Sequence, residues 1–553
     1  MSLKFKILSL LLIIMIMPSA LLFACSNIIF TKGTTTDGST IITYSADSNT
    51  LFGEIYFMPA AVHAPSDVRQ VYDWDSGKYL GVIPQAAQTY QRVGNMNEHQ
   101  LIITETTFGG RRELRDPNGK IDYGSLIHIA LERSTNAREA IKVIGELVDT
   151  YGYYSGGESF SIGDTNEAWI MEIIGKGGKE KGAVWVAVRI PDGYICSHAN
   201  QARIRTFDQN DPENCIYSKD VISFAKSQGF YEGADKDFSF ADAYNPLDFM
   251  GMRACEARVW SAFNQAGCDV EKYLDYAMGH NPENRMPLYM KAPKKYSPKD
   301  IADFMRDHYE DTPLDMRADI GAGGDGLPVR WGGLTYEYDG KTYCNERSIS
   351  TKQSGWWIMC QSRGWLPNEV GSLIWFGVDE AATSCLTPIY VSSKEMPLCI
   401  KEGNGNIMEY SPTSAFWLFS RVAHFTYLHY QTIYPDVKKA IDEHENSAIA
   451  RSASIDKTAV ELLKTSKDAA VDYLTDYSIQ TAQSMFDKWD NLDKYLLVKY
   501  VDGAIKAEDE NGFKENGNNR NLPARSKPME YSDKWKEAVV KDAGDKLIVK
   551  EVE

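Results

Sequence analysis

The stretch CSNIIFTKGTTTDGSTIITYSADSN, residues 25–49, decides how the rest of the chain is read. Two β-rich arms, Ser26–Thr31 and Ser39–Tyr44, flank a Gly/Thr loop that contains Asp37-Gly38, a strong hairpin signal. A hairpin centred near Thr36 puts residue 25 opposite residue 47. The Cys25 thiol at one strand's start then faces Asp47 at the other's end. Upstream, residues 1–24 read MSLKFKILSLLLIIMIMPSALLFA: two lysines, a long apolar run, then small residues. That is the build of a secretory signal peptide. Cleavage after Ala24 makes Cys25 the first residue, a thiol beside its own free α-amine. Two other readings stand beside this one. Leu22-Phe23-Ala24-Cys25 resembles a lipobox, in which Cys25 is acylated and the protein is tethered to a membrane surface. Cleavage after Ala20 followed by trimming of Leu21–Ala24 is a further route, because Leu22 is a mediocre residue at −3.

The bulk properties narrow the classes. With 43 % hydrophobic and 12 % aromatic residues, the 553-residue chain reads as packed and globular. Residues 7–17 are the only sustained apolar run, so nothing after Cys25 spans a membrane. The formal charge is −17, and it becomes two units more negative without Lys4 and Lys6. Such a polyanion argues against nucleic-acid binding, which requires basic surface. Besides Cys25 there are eight cysteines, at 196, 215, 255, 268, 344, 360, 385 and 399, scattered too widely to form a disulfide framework. No CxxC or HExxH motif appears, and His424 and His429 are five apart, so no metal site is expected. A homo-oligomer stays open.

Along the chain, Leu101–Thr107 reads as a strand before the tight Phe108-Gly109-Gly110. Tyr123–Ser134 and Asn136–Tyr151 carry helical periodicity, with Asn136 suited to an N-cap. Ser159–Gly163, Glu167–Ile174, Ala183–Ile190 and Tyr194–His198 are short β-runs joined too tightly for parallel crossovers, so the sheet is antiparallel. Residues 205–250 read as an irregular, acidic surface excursion. Arg253–Asn264 and Ser297–Tyr309 are helical again, the latter capped by Ser297-Pro298. Trp356–Arg363 and Gly371–Glu380 are β-rich. From Thr413 to about Lys506 nearly everything is helical, and residues 508–530 are polar and loose. This order points to α+β, with a body at 25–410 and a mostly helical region at 411–553 packed on it.

An N-terminal Cys can attack a carbonyl while its α-amine serves as general base. The reference pKa values, ~8.5 for the thiol and ~7.7–8.0 for the amine, suit that exchange near neutral pH. Cys25-Ser26-Asn27, Asp37-Gly38-Ser39, Asp47-Ser48, GNMNEH (94–99), ETTFGGR (105–111), YGSLIHIALERSTNAREAI (123–141), GESFSIGDTNEAWIMEIIG (157–175), GYICSHANQARI (193–204), EARVW (256–260) and DFMRDHYEDTP (303–313) resemble the dipeptidase–secernin family of cysteine Ntn-hydrolases. The likeness runs colinearly over about residues 25–400.

The resemblance implies an αββα sandwich, two antiparallel sheets between helical layers, with a helical C-terminal extension. It also implies an exported cysteine dipeptidase that hydrolyses short peptides without metal or cofactor. By match to the family's motifs, Cys25 is the nucleophile and Asp47 the acid that holds amine and thiol. Asn200 is the side-chain donor to the oxyanion, and Thr106 or Thr107 supplies a backbone N–H to the same hole. Arg258 steadies the network, with Arg253 as its competitor. Relatives often carry Arg three residues before the acid, where this chain has Tyr44. That departure leaves open an acylase acting on penicillin V-like or bile-salt-like amides.

Overall fold

The protein's structure is a computed structural model, and it describes residues 25–518 and 520–550. The signal-peptide and lipobox readings of residues 1–24 lie outside the described residues. Ten strands carry two sheets: β1 (Ser26–Phe30), β2 (Thr40–Asp47), β3 (Ile102–Gly109), β4 (Gly157–Gly163), β5 (Ala168–Gly175), β6 (Ala183–Ile190), β7 (Tyr194–His198), β8 (Ser354–Ser362), β9 (Ser372–Val378) and β10 (Thr387–Tyr390). The first sheet runs β7-β1-β2-β8-β9-β10, with the short strand Tyr289–Lys291 outside β7. The second runs β6-β5-β4-β3, flanked by Cys215–Tyr217 beside β6 and by three two-residue strands beyond β3. Neighbouring strands are antiparallel in both, as the short connections require.

Alternation along the strands builds the layers. In β1, Cys25's side and Ile29 face the second sheet, while Ile28 and Phe30 face outward. In β2, Ile42, Tyr44 and Ala46 point inward and Ile41 outward. In β5, Ala168 and Ile170 point inward, and Trp169 and Met171 outward. Helices α1 (Tyr123–Arg133) and α2 (Ala137–Tyr151) cover the second sheet's outer residues. Asn136 caps α2 by accepting from the Glu139 N–H. Over the first sheet's outer face lie α3 (Ala257–Gln265), α4 (Pro298–Phe304) and parts of two C-terminal helices. A third C-terminal helix, α5 (Ala415–Leu428), packs Phe416, Phe419 and Val422 into the cluster that holds the inward-facing side chains, and the other two are α6 (Tyr430–Leu463) and α7 (Lys467–Tyr500). The order is helices, sheet, sheet, helices.

The C-terminal helices are tied to the first sheet by polar contacts as well as by packing. Arg363, just past β8, reaches Asp456 of α6 at 2.7 Å, and the Tyr390 N–H donates to Ser478 of α7 at 3.2 Å. Among the described residues no helix is long and apolar enough to cross a membrane.

Two expectations change here. The β1–β2 register pairs Ser26 with Ser45 and Phe30 with Ile41, so residue 25 stands beside Ala46 and not opposite residue 47. The connection is nine residues long and holds a 3-10 turn at Lys32–Thr34, and the pairing centres it between Thr35 and Thr36 instead of on Thr36. Residues 205–250 are also more than a surface excursion. They bring Phe207, Phe224, Phe238, Phe240 and Tyr244 into the core between and beside the sheets.

Candidate active site

A one-residue change of register exchanges the faces of a strand, and here it separates two side chains expected to meet. Cys25 points between the sheets with Ala46. Its Sγ lies 3.5 Å from Glu105 Oε1 and 3.8 Å from the Tyr44 hydroxyl, and that hydroxyl donates to Glu105 Oε1 at 2.7 Å. The Asp47 carboxylate does not face the thiol. Asp47 shares its face of β2 with Ser45, and it accepts from Ser45 Oγ at 3.0 Å, Ser354 Oγ at 2.6 Å and Arg347 Nη2 at 2.6 Å. What Asp47 gives the sulfur is its main-chain N–H. Burial first, then the Glu105 and Asp47 carboxylates, push the thiol well above its ordinary range, against the Asp47 N–H and the Tyr44 hydroxyl. A thiol in this setting needs a base before it can attack.

Arg258 binds the end of β1 to the turn after β7. A π-helical stretch, Gly251–Glu256, leads into α3, a local irregularity frequent at functional sites. The Arg258 guanidinium donates to five acceptors. These are Ala254 O at 2.7 Å, Cys25 O at 2.7 Å, Ser26 Oγ at 3.0 Å, Ala199 O at 3.1 Å and Asn200 Oδ1 at 2.9 Å. Asn200 sits at φ +63°, a conformation that Asn tolerates better than most residues. With its oxygen held by Arg258, its Nδ2 donates to Thr107 O at 2.7 Å. Arg253, the competing arginine, is committed to Glu346 (Nε at 3.0 Å) and the Met278 carbonyl.

Thr106 lies on the inner face, but its hydroxyl is used elsewhere. It is 2.7 Å from His198 Nδ1, while Ser161 Oγ is 2.7 Å from His198 Nε2. Burial, helped by Arg203, lowers the His198 pKa to about 3, so the ring is neutral. Asn27 completes the wall by donating to Glu105 O at 2.5 Å. Arg258 therefore joins Asn200, at its side-chain oxygen, to Cys25, at its main-chain carbonyl. Asp47 arrives from the opposite face of the sheet, and Thr107 contributes a carbonyl.

Two residues here escaped the sequence reading. Glu105 lies inside a quoted motif, yet its neighbours Thr106 and Thr107 drew the attention. The usable signal was a lone carboxylate in the middle of an otherwise uncharged strand, IITETT. Arg347, buried against Asp47 and held at its own carbonyl by the Tyr309 hydroxyl at 2.5 Å, comes from an irregular segment with no periodicity to mark it. Among the described residues no group of three or more His, Cys, Asp or Glu is placed to hold a metal ion.

The chain is similar to several named dipeptidases. A "Probable dipeptidase" of Latilactobacillus sakei is 25 % identical over 455 residues, covering 78 % of this chain and 87 % of that protein. A "Probable dipeptidase" of Salmonella dublin is 27 % identical over 319 residues, 53 % of this chain and 69 % of its own length. "Dipeptidase A" of Lactobacillus helveticus is 24 % identical over 410 residues, 74 % of this chain and 77 % of its own. The model of peptidase family C69 matches residues 58–443, from just past β2 into α6, and on that match the chain belongs to peptidase family C69.

Proposed function

We propose that this chain is a cysteine dipeptidase of the N-terminal-nucleophile type, with its two sheets forming an Ntn-hydrolase sandwich. The observation that carries the reading is the buried Cys25 at the head of β1, its thiol raised in pKa and its carbonyl held by the same Arg258 guanidinium that holds Asn200 Oδ1. In the full-length chain the Cys25 nitrogen is a peptide amide with no useful basicity. Release of residues 1–24 converts it to an amine that can take the thiol proton. Sγ then bonds to the scissile carbonyl carbon, and the oxygen becomes an oxyanion that accepts from Asn200 Nδ2. Collapse expels the amine product, which takes the proton from the Cys25 ammonium. Water then attacks the thioester, with the same amine as base, and releases the acyl product. Asp47, anchored by Arg347, supplies the negative charge that steadies the α-ammonium from the other side of the strand end.

The signal-like character of residues 1–24 supports export to the periplasm or medium. The relatives' printed names, all dipeptidases, support the substrate class. Protein beginning at Cys25 should hydrolyse dipeptides and keep that activity in EDTA, and Cys25→Ala should abolish it. Activity that survives Cys25→Ala, or a preference of tenfold or more for penicillin V or conjugated bile salts over dipeptides, overturns the reading.

A further inference from the structure

A cavity beside the thiol has walls that the hydrolysis just described does not use. Tyr44 and Glu105 form its side nearest Cys25, and Tyr56, Trp74, Tyr123 and Trp356 line the remainder. The aromatic rings pack edge to face, Tyr56 against Trp74 at 5.0 Å and against Trp356 at 6.1 Å between centroids. Among the described residues no lysine or arginine lines this cavity, and its one histidine, His128, is kept neutral by burial, with Arg92 adding to the effect.

The acidic groups are buried side by side. Glu105 is 2 % exposed. Behind it Glu158 is fully buried, its carboxyl against that of Glu105 and the Thr107 hydroxyl. Burial first raises both acids, Glu105 to about 7 and Glu158 well above the carboxylate range. Carboxyl groups desolvated in this way gain strongly from a cation brought to them, and aromatic faces add to the attraction.

We propose that this cavity is the subsite for the protonated α-amine of the substrate's N-terminal residue, with Glu105 as its acceptor, so that the bond cleaved is the one directly after that residue. This rests on the dipeptidase reading above and deepens it. The spacing selects the first bond. In an aminoacyl group the nitrogen lies about 2.5 Å from the carbonyl carbon. Glu105 Oε1 is 3.5 Å from the attacking sulfur. An ammonium two bonds from the attacked carbon therefore falls within the ~2.7–2.9 Å of a charge-assisted hydrogen bond to that carboxylate. An amine one residue further along the peptide is displaced by about 3.8 Å and loses the contact. An N-acyl cap removes the charge and fills the space with bulk.

The test compares Ala-Ala with propionyl-Ala, which differ only by the α-amine, on protein beginning at Cys25. The expected kcat/KM ratio is about 100-fold or more in favour of Ala-Ala. Glu105→Gln should reduce that ratio to within about tenfold. Because Glu105 also touches the thiol, both rates can fall, but an effect on the thiol is common to the two substrates and cancels in the ratio. Glu158→Gln, which keeps a neutral side chain where burial already holds the acid protonated, should leave the ratio near its wild-type value. A wild-type ratio below about three, or a ratio unchanged in Glu105→Gln, overturns the proposal. If wild type turns over neither compound, the dipeptidase reading fails, and calorimetry on Cys25→Ala still decides this one. Tighter binding of Ala-Ala than of propionyl-Ala upholds the ammonium subsite, and equal binding or none overturns it.

Discussion

Arg258→Met is the most informative perturbation of this site. The guanidinium is buried, and its five recorded bonds go to neutral oxygens. Burial, and then the charge of Arg347, pull its pKa down. Removing it leaves five acceptors short of a donor, at roughly 1 kcal/mol each. Methionine keeps much of the volume and spares the desolvation of a cation, which returns several kcal/mol. The net cost in stability should be about 1–3 kcal/mol, a Tm shift of a few degrees in a chain this long. The catalytic cost is larger. In the proposed mechanism, Asn200 Oδ1 loses the donor that fixes its amide plane, which amounts to loosening one oxyanion donor. That is worth about 2.7–4 kcal/mol, or 10²–10³ in kcat, with little change in KM. The assay is steady-state hydrolysis of a dipeptide by Arg258→Met, Asn200→Ala and the double variant, with thermal melts alongside. If Arg258 acts through Asn200, the double variant is no slower than Asn200→Ala. A kcat within threefold of wild type for Arg258→Met, or rate losses that multiply in the double variant, refutes this account.

Arg347→Met should differ in kind: it strands the Asp47 carboxylate, and breaking such a buried pair costs about 3–5 kcal/mol, so its Tm should fall further than that of Arg258→Met in the same melt. Cys25→Ser should retain weak dipeptidase activity, because the amine base remains while the hydroxyl is harder to activate; activity equal to wild type would contradict a thiol nucleophile. Mass spectrometry of the protein expressed from its full sequence should find a free, unmodified Cys25 at the N-terminus, whereas a diacylglyceryl adduct there would remove the base. Stability should decline as pH rises from 5 to 8. Burial lifts Glu172 and Asp307 to about 7 in the folded protein, above the ~4 of unfolded carboxyls. The stability they add is complete below about pH 4 and is lost as pH rises through 7; melts of Glu172→Gln across that range should show a shallower decline.

The fold was legible because its physics is local. Short β-rich runs bounded by Gly, Asp or Pro turns marked Ala183–Ile190 and Tyr194–His198 with the bounds the structure has. The caps at Asn136 and Ser297 set helix starts through side-chain oxygens that accept main-chain N–H groups. The β1–β2 register was not local in this sense. Asp37-Gly38 marks a turn, but here Asp37 Oδ1 accepts from the Ser39 N–H and hydroxyl inside a longer loop. Loop length, which no residue in the loop declares, decided which face Asp47 took. In residues 205–250 the buried Phe207, Phe224 and Phe238 lie too far apart for a period to join them, and only Phe240 and Tyr244 share a short helix, so composition made the segment look like surface.

Cys25 was legible from its place after a signal-like run, whereas Asn200 and Arg258 were legible only through their match to the family's motifs; in the folded chain all three break local rules. A cysteine after a signal-like run, an asparagine at positive φ and an arginine with neutral partners each violate what a sandwich interior prefers, and all three converge on the head of β1. Such conflicts between local preference and global fold are expected to concentrate where function needs them. Glu105 obeys the same logic: a carboxylate in the middle of a buried strand is expensive, and the fold places it 3.5 Å from the one thiol at that strand head. Asp47 and Arg347 break no rule that a sequence shows, because each is an ordinary charged residue until the other, 300 residues away, is brought to 2.6 Å. Their pairing exists only in the folded chain, so the acid's anchor had to be found there.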